Sequence, residues 1–288
     1  MADLVTRLER LIRLCLLERM PADPSGELEA MELRALLTVY GNWRARVPST
    51  TPREPHMSSV LAASAKRIQH AKAVEDITSK IAAGADLAEH LSERVKVAYV
   101  PTGSRGPRHL RKDLDLLLAD WGIHHLHLPT ETRQRGDDLL FAAFTERDAY
   151  FIDILPHGLW TKMSLIETIV REWPESGLVL RSQTGARPNH TWNDEDRAEL
   201  RNAGLAILVE VDGVACMPPS ATLGGMPSVV ARRVMGLTWT LHEWRSDTLE
   251  RLNAIRASGP GVYWVPIVRE EEFGFTDGDL FVSVGRLA

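Results

Sequence analysis

The sequence predicts an α+β fold: a helical N-terminal region, a small antiparallel sheet in the centre and an α+β C-terminal region. Two observations carry that prediction. Helical and strand patterns are mixed without the regular alternation that a doubly wound parallel sheet requires. Three strand-like runs, 123–128, 139–144 and 149–155, lie close together, and the last two are joined by the polar connection Thr-Glu-Arg-Asp, which suits a β-hairpin.

The elements follow in order. Leu4, Leu8, Leu11, Ile12, Cys15 and Leu16 make one stripe of a helix over about 3–20, which Pro21, Pro24 and Gly26 end. A second helical pattern starts near Glu27 and carries Met31, Leu33, Leu36, Leu37 and Tyr40. The segment VPSTTPREP is expected to be a loop, because its three prolines restrict themselves and the residues before them. Helix is expected over about 58–81 and again, briefly, over 86–93. The run 95–100 is compatible with either a strand or irregular structure. After the Gly/Pro loop PTGSRGPRH, leucines at 110, 114, 117 and 118 form the apolar face of a helix over about 109–119. Beyond the three central strands, 161–173 reads as a helix that Pro174 closes. Region 193–202 is helical, 206–211 and 214–217 flank an Asp-Gly turn, and 228–257 is a long helix. Strands are expected at 262–268 and 280–284, with the acidic stretch REEEFGFTDGD as the loop between them. Domain boundaries are expected to divide the chain into 1–94, a central candidate active-site domain at 95–176, and 177–288.

Composition narrows the function classes. Of 288 residues, 44% are hydrophobic and 25% charged, ordinary values for a globular protein, so disorder as the dominant state is excluded. A net charge of −5 supplies no global attraction to nucleic acid, so any such role needs a local basic patch. Cys15 and Cys216 are far apart and form no CxxC pair, which argues against a structural zinc site or a disulfide scaffold and fits a reducing cytoplasm. The N-terminus has no signal-like apolar core, and no run approaches a membrane span, so no membrane partner is expected.

Chemistry concentrates between Asp120 and Trp160, which holds four of the ten histidines. In IHHLHL the strand period of two puts His125 and His127 on one face with Ile123, and His124 on the other with Leu126 and Leu128. His125 and His127 are therefore expected to reach the same cleft, at least partly exposed. Three readings follow. The imidazoles are satisfied structural groups; or they ligate a metal that Asp153 or His157 completes; or they perform metal-free acid–base chemistry, for which a pKa near working pH suits histidine. RNA cleavage matches the last reading: the 2′-hydroxyl loses a proton, the 5′-oxygen gains one, and cations neutralise the phosphate. Arg105, Arg108, Arg111 and Lys112 lie upstream, with Arg133, Arg135 and Lys162 downstream. A solvated surface is the commoner fate of such charges.

A basic helix, a strand and then the hairpin LLFAAFTERDAYFIDILPHG, with a histidine just past its final strand, resemble the core of RelE-type mRNA-cleaving toxins and related small metal-independent ribonucleases. The resemblance covers about Arg108 to Trp160. It implies that His157 matches the polar residue at the last strand's end, His125 or His127 the central-strand residues, and Arg108, Arg111 or Lys112 the basic helix. Such toxins are typically basic and shorter, whereas this chain is acidic and extended on both sides.

The function expected is a toxin-like or defence-associated endoribonuclease acting on single-stranded RNA in the cytoplasm without metal or other cofactor. His125 and His127 serve as general base and acid, and His157 as a positioning group or alternate acid. Arg108, Arg111, Lys112 and Arg133 serve as phosphate contacts. A protein inhibitor or a second copy of the chain are further partners to consider. The alternatives are a non-enzymatic interaction or oligomerisation module and a His-liganded metalloenzyme. No GxxxxGK[ST], GxGxxG or GxSxG arrangement supports nucleotide or hydrolase chemistry. Cys216 is expected to be a buried structural thiol, and Trp239 with His242 to serve packing or an interface.

Overall fold

Asp3 starts the first helix by accepting the Thr6 N–H at 2.7 Å, and Val5, Leu8, Ile12 and Leu16 are buried along its inner stripe. The computed structural model describes residues 3–21, 26–92, 95, 116–129, 136–182, 192–202, 208–220, 227–256, 264–269 and 272–287. In chain order the elements begin with α1 (Leu4–Arg19), α2 (Glu27–Ala30), α3 (Leu33–Arg44), β1 (Glu54–Met57), α4 (Ser59–Ala62), α5 (Ala65–Gln69) and α6 (Ala71–Ala83). A single 3-10 turn at Ala88–His90 stands where a short helix was expected. Next come α7 (Leu116–Trp121), β2 (Ile123–His127), β3 (Asp138–Phe144), β4 (Asp148–Pro156), α8 (Met163–Glu172), β5 (Leu180–Arg181) and α9 (Asp194–Asn202). The chain continues through β6 (Val209–Val211), β7 (Val214–Met217), α10 (Ser228–Arg256), β8 (Val265–Arg269), β9 (Glu272–Thr276) and β10 (Phe281–Arg286). The fold is α+β. None of the described helices is long and apolar enough to cross a membrane.

Two compact units divide the chain, and the division is not serial. One draws together Met1–Arg44 and Val229–Ala288; the other draws together Ala45–Val95 and Gly103–Ser228. Boundaries at 94/95 and 176/177 therefore cut across the observed grouping, because α1 packs on β8 from the far end of the chain. In the first unit the antiparallel sheet β10-β9-β8 buries Phe273 and Phe275. The stretch expected to be an acidic loop contains its central strand. α10 breaks at Asp247, which leaves helical geometry at φ −142°, and Trp244 just before the break stacks on Phe275 at 5.8 Å.

The second unit is built on a four-stranded sheet of order β1-β4-β3-β2, in which β1 runs parallel to β4 and the other pairs are antiparallel. One face carries Leu126, Leu140, Ala142, Phe151 and Ile154 against Leu61 of α4 and Val74, Ile77 and Ile81 of α6. The other carries Ile123, Leu139, Phe141 and Ile152 against Leu165, Ile166 and Ile169 of α8, together with Val209, Val211 and Cys216 of the small sheet β5-β7-β6. Burial on both faces is why the β3 and β4 sequences read as nearly continuous apolar runs rather than as alternations.

β1 falls at the end of the proline-rich segment expected to be a loop. The N–H groups of Glu54 and Ser58 donate to the Arg147 and Phe151 carbonyls, whereas that of Arg53 points the other way, to Ile81. Pro55 shares the outward parity on an edge strand, so its missing N–H costs no ladder bond. The helix expected over 58–81 is three helices: Ser58 caps the first, Ser64 caps the second, and the third begins after His70 without a side-chain cap. At its end Gly84 has φ +68°, and a Cβ there would meet the backbone nitrogen of Pro52 at 2.7 Å.

Candidate functional site

The β2–β3 register, His125 opposite Phe141 and His127 opposite Leu139, sets both histidines on the α8 face of the sheet. His157 follows β4 and is held by its N–H donating to the Asp137 carbonyl at 3.1 Å; Gly158 then turns the chain at φ +92° toward Trp160. Four rings consequently close on one another. The centroid of His125 lies 6.3 Å from that of His127, His127 lies 5.1 Å from His157, His157 lies 5.7 Å from Trp160, and Trp160 lies 5.1 Å from His125. The three histidines singled out in the sequence are thus brought together. Trp160 was not assigned to them there, although its place three residues after His157 was a usable signal.

Exposure differs around the ring. His157 is exposed, His125 is half-buried, and His127 is only 8% exposed. The expectation that His125 and His127 would both be at least partly exposed therefore holds for His125 and is corrected for His127. The reason is that His127 has the His157 ring against it; separately, the Nδ1–H of buried His90 donates to its main-chain carbonyl at 3.1 Å. The Nδ1 atoms of His125 and His127 are both enclosed. His124, on the other face as expected, meets Phe144 edge-on at 5.1 Å.

Asp153 does not complete this group. It interacts instead with Lys66; burial pushes its carboxyl above the ordinary range, only partly opposed by the Ile154 N–H and the Lys66 charge. Close by, Asp138 at the start of β3 accepts hydrogen bonds from Lys66 and from His70 Nε2, the latter at 2.9 Å. Burial pushes the Asp138 carboxyl up as well, but these two donors outweigh it and hold it below the usual carboxylate range. Lys66, His70, Asp138 and Asp153 form an ionisable cluster that the sequence reading did not assemble. His70 and Lys66, four apart on a helix, were the available hint.

Among the described residues, the histidine ring and Asp153 do not bring three ligand atoms close enough for one metal ion. Glu54, His56 and Asp148 do, with ligand atoms within 4.8 Å of one another. Of the cationic candidates, Arg105, Arg108, Arg111, Lys112, Arg133 and Arg135 lie outside the described residues, as do the run 96–100 and most of the helix expected over 109–119. Lys162 is described, and its ammonium is 2.8 Å from Asp194, whose other oxygen caps the Met163 N–H that opens α8. Cys216 is fully buried and burial raises its thiol, in line with a structural role. Trp239 is 64% exposed on α10, so it does not serve the core.

Compared with known protein families, with curated proteins and with solved structures, the chain matches none.

Proposed function

We propose that the ring of His125, His127, His157 and Trp160 is the catalytic centre of a metal-independent endoribonuclease acting on single-stranded RNA, of the toxin-like or defence-associated kind that the RelE resemblance implies. The supporting observation is a ring of three imidazoles and one indole whose successive centroids lie 5.1–6.3 Å apart at one edge of the sheet, with His157 open to solvent and His125 half-open. One of these imidazoles takes the proton of the 2′-hydroxyl, whose oxygen attacks the adjacent phosphorus. The other gives a proton to the departing 5′-oxygen, leaving a 2′,3′-cyclic phosphate. Buried His127 lies between them as a positioning group rather than the acid. The half-exposed Trp160 offers a stacking face to an unpaired base, and Arg108, Arg111, Lys112 and Arg133 are the proposed phosphate contacts.

The test is cleavage of single-stranded RNA in EDTA, with cyclic-phosphate ends and a bell-shaped pH dependence as the expected result. His157→Ala alters an exposed side chain, so folding should persist while the rate falls by about 10²–10⁴-fold. Absence of wild-type cleavage with or without divalent metal refutes the reading. A non-enzymatic interaction role has one observation in its favour: Met235 and Trp239, four apart on α10, are 60% and 64% exposed. A Trp239→Ala change that alters the oligomeric state in light scattering, in a protein without nuclease activity, would favour that role.

A further inference from the structure

The parallel pairing of β1 with β4 places four functional side chains in a square on one sheet face. Glu54 is the register partner of Asp148, and His56 is the partner of Tyr150. Because residues two apart share a face, Glu54 and His56 stand beside Asp148 and Tyr150 at the β1 edge, across the sheet from the histidine ring at β2. Two carboxylates directly opposite one another are destabilising unless something positive lies between them. His56 Nε2 donates to Asp148 Oδ1 at 2.8 Å, and the ligand atoms of Glu54, His56 and Asp148 all lie within 4.8 Å of one another.

His56 and Asp148 are each oriented by a neighbour that is not itself a ligand. The Tyr150 ring stacks on His56 at 5.1 Å and 21°, and Trp173 backs Tyr150 at 4.9 Å. Thr145 Oγ1 donates to the second Asp148 oxygen at 3.2 Å. The His56 hydrogen bond, followed by that of Thr145, keeps the Asp148 carboxyl below its ordinary range against a small opposing effect of burial, so the group is ionised at neutral pH. Supporting hydrogen bonds and ring contacts of this kind fix ligand geometry at metal centres.

We infer that Glu54, His56 and Asp148 form a binding site for a divalent transition-metal ion of the Zn²⁺ class. One imidazole with two carboxylates is a mixed nitrogen and oxygen donor set that suits Zn²⁺ better than Mg²⁺. Tetrahedral bonds of about 2.0–2.1 Å hold ligand atoms about 3.3 Å apart. The His56–Asp148 pair at 2.8 Å has only to open slightly, and the exposed Glu54 side chain is free to swing inward from the 4.8 Å limit. Three protein ligands at a half-exposed edge leave the fourth position to water. Binding replaces the hydrogen bond between His56 Nε2 and Asp148 with bonds from both groups to the ion. The ion takes no part in the RNA chemistry proposed above, so the two proposals stand or fall separately.

The experiment is a Zn²⁺ titration of the chelator-stripped full chain by calorimetry, with His56→Ala and Glu54→Gln as variants and circular dichroism as the folding check. The wild type should bind one equivalent more than His56→Ala. Glu54→Gln, an exposed change that leaves the fold intact, should weaken that equivalent at least tenfold, and excess Mg²⁺ should not displace it. Equal stoichiometry and affinity in the wild type and both variants overturns the site, whatever other histidines bind. Displacement by Mg²⁺ overturns the choice of metal class. A loss confined to an unfolded His56→Ala, with Glu54→Gln unchanged, also counts against the site.

Discussion

Replacing Ser58 by Ala removes one oxygen that joins three elements. Ser58 is fully buried between β1 and α4. Its hydroxyl donates to the Ile152 carbonyl at 2.6 Å and accepts the Leu61 N–H at 2.9 Å, capping α4, while its own N–H reaches the Phe151 carbonyl at 3.0 Å. Alanine keeps only the last of these. Loss of the cap costs about 1 kcal/mol, and stranding the buried Ile152 carbonyl costs about 1–3 kcal/mol more. The total is about 2–4 kcal/mol. At about 2–4 °C per kcal/mol for a domain of this size, Tm should fall by roughly 5–15 °C. Thermal and urea unfolding followed by tryptophan fluorescence measure it, since Trp121, Trp160 and Trp173 all lie in the second unit. A fall below about 1 °C with an unchanged urea slope would refute the reasoning: the hydroxyl would then contribute no more than a methyl group, and β1 would be held by its ladder alone.

Two further changes test the electrostatics and the packing. Asp138, whose folded carboxyl sits below its unfolded value, stabilises the fold above pH ~4 and loses that contribution as pH falls. Asp153, raised by burial, does the reverse, its contribution being present at low pH and lost as pH rises. Asp138→Asn should therefore lower stability at pH 7 by about 1–3 kcal/mol and Asp153→Asn should raise Tm there, with both differences shrinking below pH ~4 in pH-resolved melts; parallel curves at all pH values would refute the assignment. In the first unit a Cβ on Gly274 would lie 1.9 Å from the Val282 carbonyl oxygen, an overlap with backbone that no rotamer relieves. Gly274→Ala should cost about 3 kcal/mol or more, and a melt indistinguishable from wild type would show that β9 and β10 are not paired as described.

What was legible in the sequence had local causes. β3 and β4 announce themselves because the sheet is covered on both faces, so Leu139 to Ala143 and Ala149 to Ile152 are apolar without interruption, and Thr145 closes the hairpin by bonding to Asp148 three residues on. β1 was illegible for the opposite reason. It has four residues, includes a proline, and pairs with a strand more than ninety positions away, so nothing near it in sequence records the ladder that holds it. β9 was obscured by acidic neighbours, although Phe273 and Phe275 on either side of Gly274 keep the strand period, and that glycine is what lets β10 approach.

The same distinction separates the two candidate sites. His125 and His127 could be paired from the period of one strand, and His157 joins them because a hairpin returns β4 beside β3, a local consequence of the turn. Burial of His127 was not readable from the strand period, which gives its face but not how closely the His157 ring packs against it. Glu54, His56 and Asp148 required a parallel crossover that the pattern did not disclose; Glu-x-His on one strand face is a weak sign until a carboxylate arrives opposite it. A chemically rich sheet end built from a hairpin is therefore visible from sequence, whereas one built from a distant edge strand becomes visible only with the register. In this sheet the proposed proton-transfer group belongs to the first kind and the proposed ion site to the second. That is why substitutions at His157 and at Glu54, on opposite edges of one four-stranded sheet, should separate RNA cleavage from Zn²⁺ binding: each should weaken one property and leave the other at its wild-type level.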